Sequence, residues 1–265
     1  MSHGRWISLR GAVNARDVGG LPTKDGATLA PGRLLRSDNL QDLTAEDIAS
    51  LVTERDLRLV IDLRTEFEVD KEGPTPLQRT TDIAHRHLSL LPEAGQATDF
   101  AVEDLLPWQR DRSRSRLEGL SGPQLVAEVY RGYLRDRPDN IVAALRGVSG
   151  LTAGAALVHC AAGKDRTGVV VALALTVAGV PRESVVADYE ATGEVIDALV
   201  ARLVASPTYA ADLAGRPVDS HRPIAEAMRL LLTSLDDSHG GPGGWLTSVG
   251  FGLAEQAALR ARLVA

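Results

Sequence analysis

Residues 159–167 read His-Cys-Ala-Ala-Gly-Lys-Asp-Arg-Thr, and the cysteine in that run, Cys160, is the only one in the chain. A lone thiol forms no internal disulfide, so this sulfur is either buried filler or chemistry. Arg166 stands six positions further on. That spacing alone is weak, because a short pattern containing a common residue recurs by accident. Its setting gives it weight. An aliphatic run, Ala155–Val158, delivers Cys160 as a strand would; Gly163 permits tight curvature; and a helix expected to begin near Arg166 aims its unpaired N–H groups and positive dipole end back at the loop. Amides from Ala161, Ala162, Gly163, Lys164 and their successors can then converge on the oxygens of a tetrahedral anion. The planar guanidinium of Arg166 grips two of those oxygens in a fork that lysine lacks.

The same positive field lowers the pKa of a thiol placed there, so Cys160 is expected to act as a nucleophile. Sulfur behind a bound phosphoryl group is set for in-line attack, giving a cysteinyl-phosphate that water later hydrolyses. Asp165 is the candidate to protonate the departing oxygen, with a plain helix N-cap as its alternative. Thr167 is placed to donate a hydrogen bond to the leaving sulfur. Lys164 either adds charge to the site or is simply solvated. His159 is expected to be a core hydrogen-bonding residue that tunes the loop. Arg166 in a first helical turn opposes the dipole, a conflict that a nearby anion would remove. Asp62 has three open readings: it orders the loop, contacts substrate, or pairs with Arg64.

Placing these groups calls for strands alternating with helices. Arg58–Arg64 and Ala155–Cys160 read as buried strands that end in charge, and "GPQLVAEVYRGYLRDRP" and "NIVAALRGVSGL" between them carry helical periodicity, with Pro138 as the break. The implied class is α/β, a mainly parallel central sheet flanked by helices. Gly168–Val180 is apolar but short of the roughly twenty residues that cross a bilayer, so it reads as a buried helix and no transmembrane segment is expected. Further on, Val195, Leu199 and Leu203 form one stripe and Ile224, Met228, Leu231 and Leu235 another, which reads as a helical pair. The glycine cluster His239–Gly244 separates that pair from a last helix over Leu253–Val264. Residues about 92–122, including "RDRSRSR", read as a solvated loop or helix edge. Asn14, Arg16 and Asp17 are expected to fix a turn near the site. His85 and His87 are a possible chelating pair with no third ligand in view.

At 265 residues, with 44% hydrophobic residues, the chain can build one sizeable core. No repeat or long linker divides it, so residues 1–265 are taken as a single domain. The net charge of -6 argues against a nucleic-acid partner, which needs a broad basic face, and leaves room for a local anion site. The N-terminus lacks the apolar stretch of a secretory signal. The default location is the cytoplasm, with export without a conventional signal peptide left open. The sequence leaves the oligomeric state undetermined.

The run "HCAAGKDRTG" resembles the signature loop of the cysteine-dependent protein tyrosine phosphatase superfamily, most closely its bacterial tyrosine/serine phosphatase branch. "NARDVGG" (14–20), "GRLLRSDNL" (32–40), "DLRTEFE" (62–68) and "ADYEAT" (187–192) occur in the order that this branch has, with a weaker echo in "GGWLTSVGF" (243–251). The resemblance implies the phosphatase fold, with Cys160 as nucleophile, Arg166 as phosphate clamp and Asp165 as a general acid inside the loop. No "WPD" acid loop is visible. Lys164 matches the lysine by which the branch resembles phosphoinositide phosphatases, so lipid head groups join phosphotyrosine, phosphoserine and phosphothreonine as substrates to consider. The branch also implies a helical lid, placed here at about 190–238. The expected chemistry is metal-independent and calls for no cofactor.

Two other functions compete. One is a phosphate-recognition module without turnover; the other is a rhodanese-type sulfurtransferase, which also loads a cysteine in an anion loop. The first is weakened by the presence of nucleophile, clamp and acid together, the second by the "DRTG" ending.

Overall fold

The structure is a computed structural model and describes residues 4–92, 119–213 and 215–265. The "RDRSRSR" run therefore lies outside the described residues.

Among the described residues five strands form one sheet: β1 (Arg16–Asp17), β2 (Leu34–Ser37), β3 (Leu57–Asp62), β4 (Ala84–His87) and β5 (Ala155–His159), in the order β1-β2-β5-β3-β4. Only β1 runs antiparallel to its neighbour; β2, β5, β3 and β4 are mutually parallel. The register places Ser37 and Asp62 on either side of His159, and His87 beside Asp62. Four parallel strands thus end level, and the loops that leave them gather along one edge, where open α/β sheets place their sites.

Period-two alternation decides which face each strand residue covers. Leu34, Leu59, Ile61, Ala156 and Val158 enter the larger apolar cluster, while Leu35, Val60, Ala155 and Leu157 enter the smaller one on the opposite face; a register irregularity between Leu57 and Leu59 breaks the alternation and puts Leu57 with the smaller cluster. Both faces are buried, as the branched-aliphatic runs imply. β4 is a polar edge strand, largely exposed.

The helices are α1 (Ala45–Ala49), α2 (Glu66–Glu72), α3 (Gly122–Asp136), α4 (Pro138–Ser149), α5 (Asp165–Val177), α6 (Arg182–Glu190), α7 (Ile196–Ala205), α8 (Ala210–Leu213), α9 (Ala225–His239), α10 (Pro242–Ser248) and α11 (Leu253–Leu263). Pro138 starts α4 at its first position, where a missing N–H costs nothing. α5 is buried on every side from Arg166 to Leu175, which makes it the central helix of the larger layer. α10 was not expected, since its glycines and proline read as a separator; Pro242 instead opens a short helix whose Trp245 and Leu246 enter the core.

The expected helical pair does not form. The stripe of α7 (Ile196, Leu199, Val200, Leu203) joins Tyr209 and Leu213 against Ala161 and Ala162 of the cysteine loop. That of α9 (Met228, Leu231, Leu235) belongs to the main core beside α3, α6 and α10. A cover spanning 190–238 is thus divided: its first part lies over the loop and α9 does not.

Candidate active site

The loop leaves β5 at Cys160 and enters α5 at Asp165. Gly163 takes a left-handed φ of +65°, and a Cβ there would stand 2.3 Å from the Ser37 carbonyl, so glycine is required both by conformation and by space. Three successive loop carbonyls point away from the loop's interior toward donors held by other segments. Ala161 O accepts from Asn39 N–H at 2.9 Å, Ala162 O from the Asn14 side-chain amide at 2.8 Å, and Gly163 O from an Arg36 terminal nitrogen at 2.7 Å. Each peptide plane whose oxygen is drawn outward turns the following N–H the opposite way, into the concavity.

The donors are braced in turn by a buried ion cluster. Asp188 binds Arg36 at 2.7 Å and Arg5 at 2.8 Å, and Arg16 lies 3.6 Å from it while donating to its backbone carbonyl at 2.7 Å. Burial would push the Asp188 carboxyl up, but the charges of Arg16, Arg36 and Arg5 hold it well below the usual carboxylate range. Arg16 itself is pushed down to about 9, by burial first and then by Arg36. Arg16 also donates to the Asn14 side-chain oxygen, and Thr192 Oγ1 lies 3.2 Å from Asn14 Nδ2. "NARDVGG", "GRLLRSDNL" and "ADYEAT" therefore meet behind the loop. Asp17 does close a turn as expected, accepting from Gly19 and Gly32; Asn14 and Arg16 belong to the loop's support.

Arg166 is fully buried and its two terminal nitrogens meet Glu68 at 2.6 and 2.8 Å. Glu68 is the anion that an arginine in a first helical turn calls for. Burial would raise its carboxyl, yet Arg166's charge and hydrogen bonds hold it below its ordinary value. One Glu68 oxygen also caps α2, accepting from Thr65 N–H at 2.8 Å. Sequence reasoning missed this residue, although Thr65-x-x-Glu68 is a capping-box pattern. Asp62 is committed to Arg64: one oxygen accepts from Nε at 2.9 Å and the other from a terminal nitrogen at 2.5 Å. The ion pair, one of the readings open at Asp62, is formed. His159 is fully buried, with Nδ1 3.3 Å from the Cys160 carbonyl and Nε2 3.7 Å from Asp62. Burial, opposed by Asp62, pushes its pKa down to about 4.

At the rim, Lys164 Nζ donates to the His221 carbonyl at 2.9 Å and lies 3.5 Å from Asp165 Oδ2. Lys164 is the N-cap position and Asp165 the first helical residue, so Asp165 does not cap α5. Its Oδ1 instead accepts from the Tyr130 hydroxyl at 2.5 Å. Thr167 is fully buried, with Oγ1 making no hydrogen bond. Cys160 is fully buried and belongs to the larger core cluster, while the α7–α8 cover packs on the next two residues, Ala161 and Ala162. Arg202 of α7 ties that cover down, binding Asp38 at 2.6 Å and Asp42 at 3.0 Å, and Ser206 donates to Glu72 at 2.5 Å.

Among the described residues, no group of three or more His, Cys, Asp or Glu is arranged to hold a metal ion. His85 and His87 each turn Nε2 to a backbone carbonyl, of Leu77 and of Arg64. No helix among the described residues is long and apolar enough to cross a membrane.

Sheet order, flanking helices and the strand–loop–helix unit have the α/β architecture of the protein tyrosine phosphatases. The chain belongs to the tyrosine phosphatase family, whose sequence model matches residues 7–265. It is 32% identical over 270 residues to the triple specificity protein phosphatase PtpB of Mycobacterium tuberculosis, covering 93% of this chain and 94% of that one. A tyrosine-protein phosphatase of Nostoc commune is 27% identical over 243 residues, 89% of this chain and 76% of the relative. Among solved structures, Pseudomonas aeruginosa TpbA is 15% identical, with a TM-score of 0.29 over 76% of this chain and 86% of that one.

Proposed function

We propose that this phosphatase hydrolyses phosphotyrosine, and phosphoserine or phosphothreonine beside it, through a cysteinyl-phosphate on Cys160. The observation that carries this reading is the triple commitment of the Ala161, Ala162 and Gly163 carbonyls to outside donors, which leaves the loop amides facing inward as a ready oxyanion cradle. A preformed cradle binds the developing charge without reorganising at the moment of reaction. Arg166, pinned by Glu68, presents its guanidinium at a fixed angle as the phosphate clamp. The Cys160 thiolate attacks phosphorus in line, and Asp165 gives a proton to the departing oxygen and recovers one from the water that cleaves the intermediate. Thr167 Oγ1, buried with its hydrogen-bonding capacity unused, supports a role for it as donor to the leaving sulfur. Asp62 takes no part in binding the anion, since both its oxygens are held by Arg64 and its charge would repel a phosphate.

We also read residues 1–265 as one catalytic domain in which 196–221 is a lid that opens to admit substrate. The apolar packing of this segment on Ala161 and Ala162, beside the fully buried Cys160, supports this. Lys164, at the lid's edge, supports a polyanionic phosphoinositide head group as a further substrate class, and the name of the mycobacterial relative supports broad specificity. The test is turnover of a phosphotyrosyl peptide by the wild type and by Cys160→Ser. The variant is expected to lose turnover by four or more orders of magnitude while still binding vanadate or the peptide; turnover within tenfold of wild type would overturn the nucleophile.

A further inference from the structure

Asp165 has two oxygens, and one is already occupied. Tyr130 on α3 and Tyr189 on α6 are both fully buried, and their hydroxyls lie 2.7 Å apart. Tyr130 Oη reaches Asp165 Oδ1 at 2.5 Å, and Tyr189 Oη accepts from Ile224 N–H at 3.2 Å. The two ends set the direction of the whole chain: a backbone N–H only donates, and an ionised carboxylate only accepts. Tyr189 therefore passes its single proton toward Tyr130, and Tyr130 passes its own to Asp165. Burial, with the Asp165 charge added, raises both phenols above their ordinary range, which keeps them donors across the working pH.

The rings have no room to swing. A Cβ at Gly168 would come within 2.9 Å of the Tyr189 ring, so the glycine of "DRTG" is what lets that ring lie against α5. Tyr130 meets Tyr189 edge-on, with centroids 6.2 Å apart and planes at 79°. Asp188, one residue before Tyr189, is anchored by arginines.

Resting on the assignment of Asp165 as the acid, we propose that Tyr130 and Tyr189 are positioning residues for proton transfer: Tyr130 occupies Oδ1 whether Asp165 is ionised or protonated, confining the transferable proton to Oδ2. In the first step the sulfur–phosphorus bond forms as the phosphorus–oxygen bond breaks, and the Oδ2–H proton moves to the leaving oxygen. In the second, the water oxygen–phosphorus bond forms as the sulfur–phosphorus bond breaks and the thiolate leaves, and Oδ2 takes a proton from the attacking water. Lys164 Nζ, 3.5 Å from Oδ2, is a cation without a lone pair and does not compete for that proton. The relay begins at Ile224, three residues beyond His221, whose carbonyl holds Lys164. The end of the covering segment thus meets Lys164 directly, and the residues just after it reach Asp165 only through the two tyrosines.

The experiment measures kcat/KM, which reports the steps through phosphorus–oxygen cleavage, on aryl phosphates with good and poor leaving groups. The proteins are wild type, Tyr130→Phe, Tyr189→Phe, Asp165→Asn and the Tyr130→Phe/Asp165→Asn double variant. Tyr130→Phe is expected to lose about tenfold on the poor leaving group and several times less on the good one, a fraction of the effect of a whole general acid. Tyr189→Phe, which keeps the ring, is expected to show the same pattern more weakly. The double variant is expected to match Asp165→Asn alone. Equal losses on both substrates by Tyr130→Phe and Tyr189→Phe, or a further full loss when Tyr130→Phe is added to Asp165→Asn, would overturn the positioning role and leave the acid intact. Equal losses by Asp165→Asn itself would overturn the acid assignment, and the proposal with it.

Discussion

Arg166 and Glu68, 98 residues apart in the chain, meet at 2.6 Å with both side chains fully buried. A charge pair in such a place stabilises only while it is whole. Removing one partner leaves an uncompensated buried charge, at a cost of roughly 3–5 kcal/mol. Glu68→Ala is therefore expected to lose stability of that order in urea unfolding and to weaken inorganic phosphate binding, because the clamp is no longer held at its angle. Unchanged unfolding and phosphate affinity would show that the pair bears neither load.

The buried imidazole sets a pH window. His159 in the folded protein takes a proton near pH 4, whereas in the unfolded chain it does so near 6.5. Between those values the unfolded state holds more protons, so stability is present above about 6.5 and falls as pH drops toward 4, by roughly 3 kcal/mol in total. Asp62, Asp188 and Glu68, all held below the usual carboxylate range, lose their contributions at lower pH still. Urea unfolding against pH is expected to show this decline in the wild type and a flatter course between 6.5 and 4 in His159→Gln. An identical slope in both would exclude His159 as its source.

The cover is pinned by Arg202 to Asp38, which is buried and whose carboxyl burial pushes up despite the arginine's charge. Arg202→Ala removes that tie while the apolar contacts of Leu199 and Leu203 remain. Iodoacetamide modification of Cys160 is expected to quicken on the order of tenfold, equivalent to about 1.4 kcal/mol of easier opening. An unaltered rate would mean that apolar burial alone governs access.

Lys164 reaches the cover through the His221 carbonyl, a contact that the proposed opening of that segment would release. Lys164→Ala is expected to harm phosphoinositide turnover about tenfold more than phosphotyrosine turnover, since a head group with several phosphates uses a further cation. Assays of both substrates with the one variant check this, and proportional loss on each would remove the lipid argument.

What the sequence made legible is what is contiguous. Strand, cysteine, glycine, arginine and following helix lie within one short run, and the α/β class follows from the aliphatic segments at 57–62 and 155–159. Partnerships across the fold were not legible. Glu68 carried a local sign, its capping box, yet nothing in its neighbourhood announces the guanidinium that shares its oxygen. Tyr130 reads as one more apolar position of α3, and only the packing of α3 against α5 and α6 turns its hydroxyl onto Asp165. The stripes of α7 and α9 have the same periodicity, which says that each buries a face and not against which element. Asn14, Arg36 and Asp188 were visible as motifs, but their common task behind the loop appears only when β1, β2 and α6 are in place.

The central claim is that the loop holds a phosphoryl group against an ionised Cys160 and takes it covalently. Rapid acid quench of the wild type during turnover of a phosphotyrosyl peptide, followed by peptide mapping, tests it directly. The account expects phosphocysteine on the peptide containing Cys160, formed within the first turnover and absent from Cys160→Ser. Hydrolysis proceeding with no phosphocysteine at any time, or at an undiminished rate in Cys160→Ser, would contradict it.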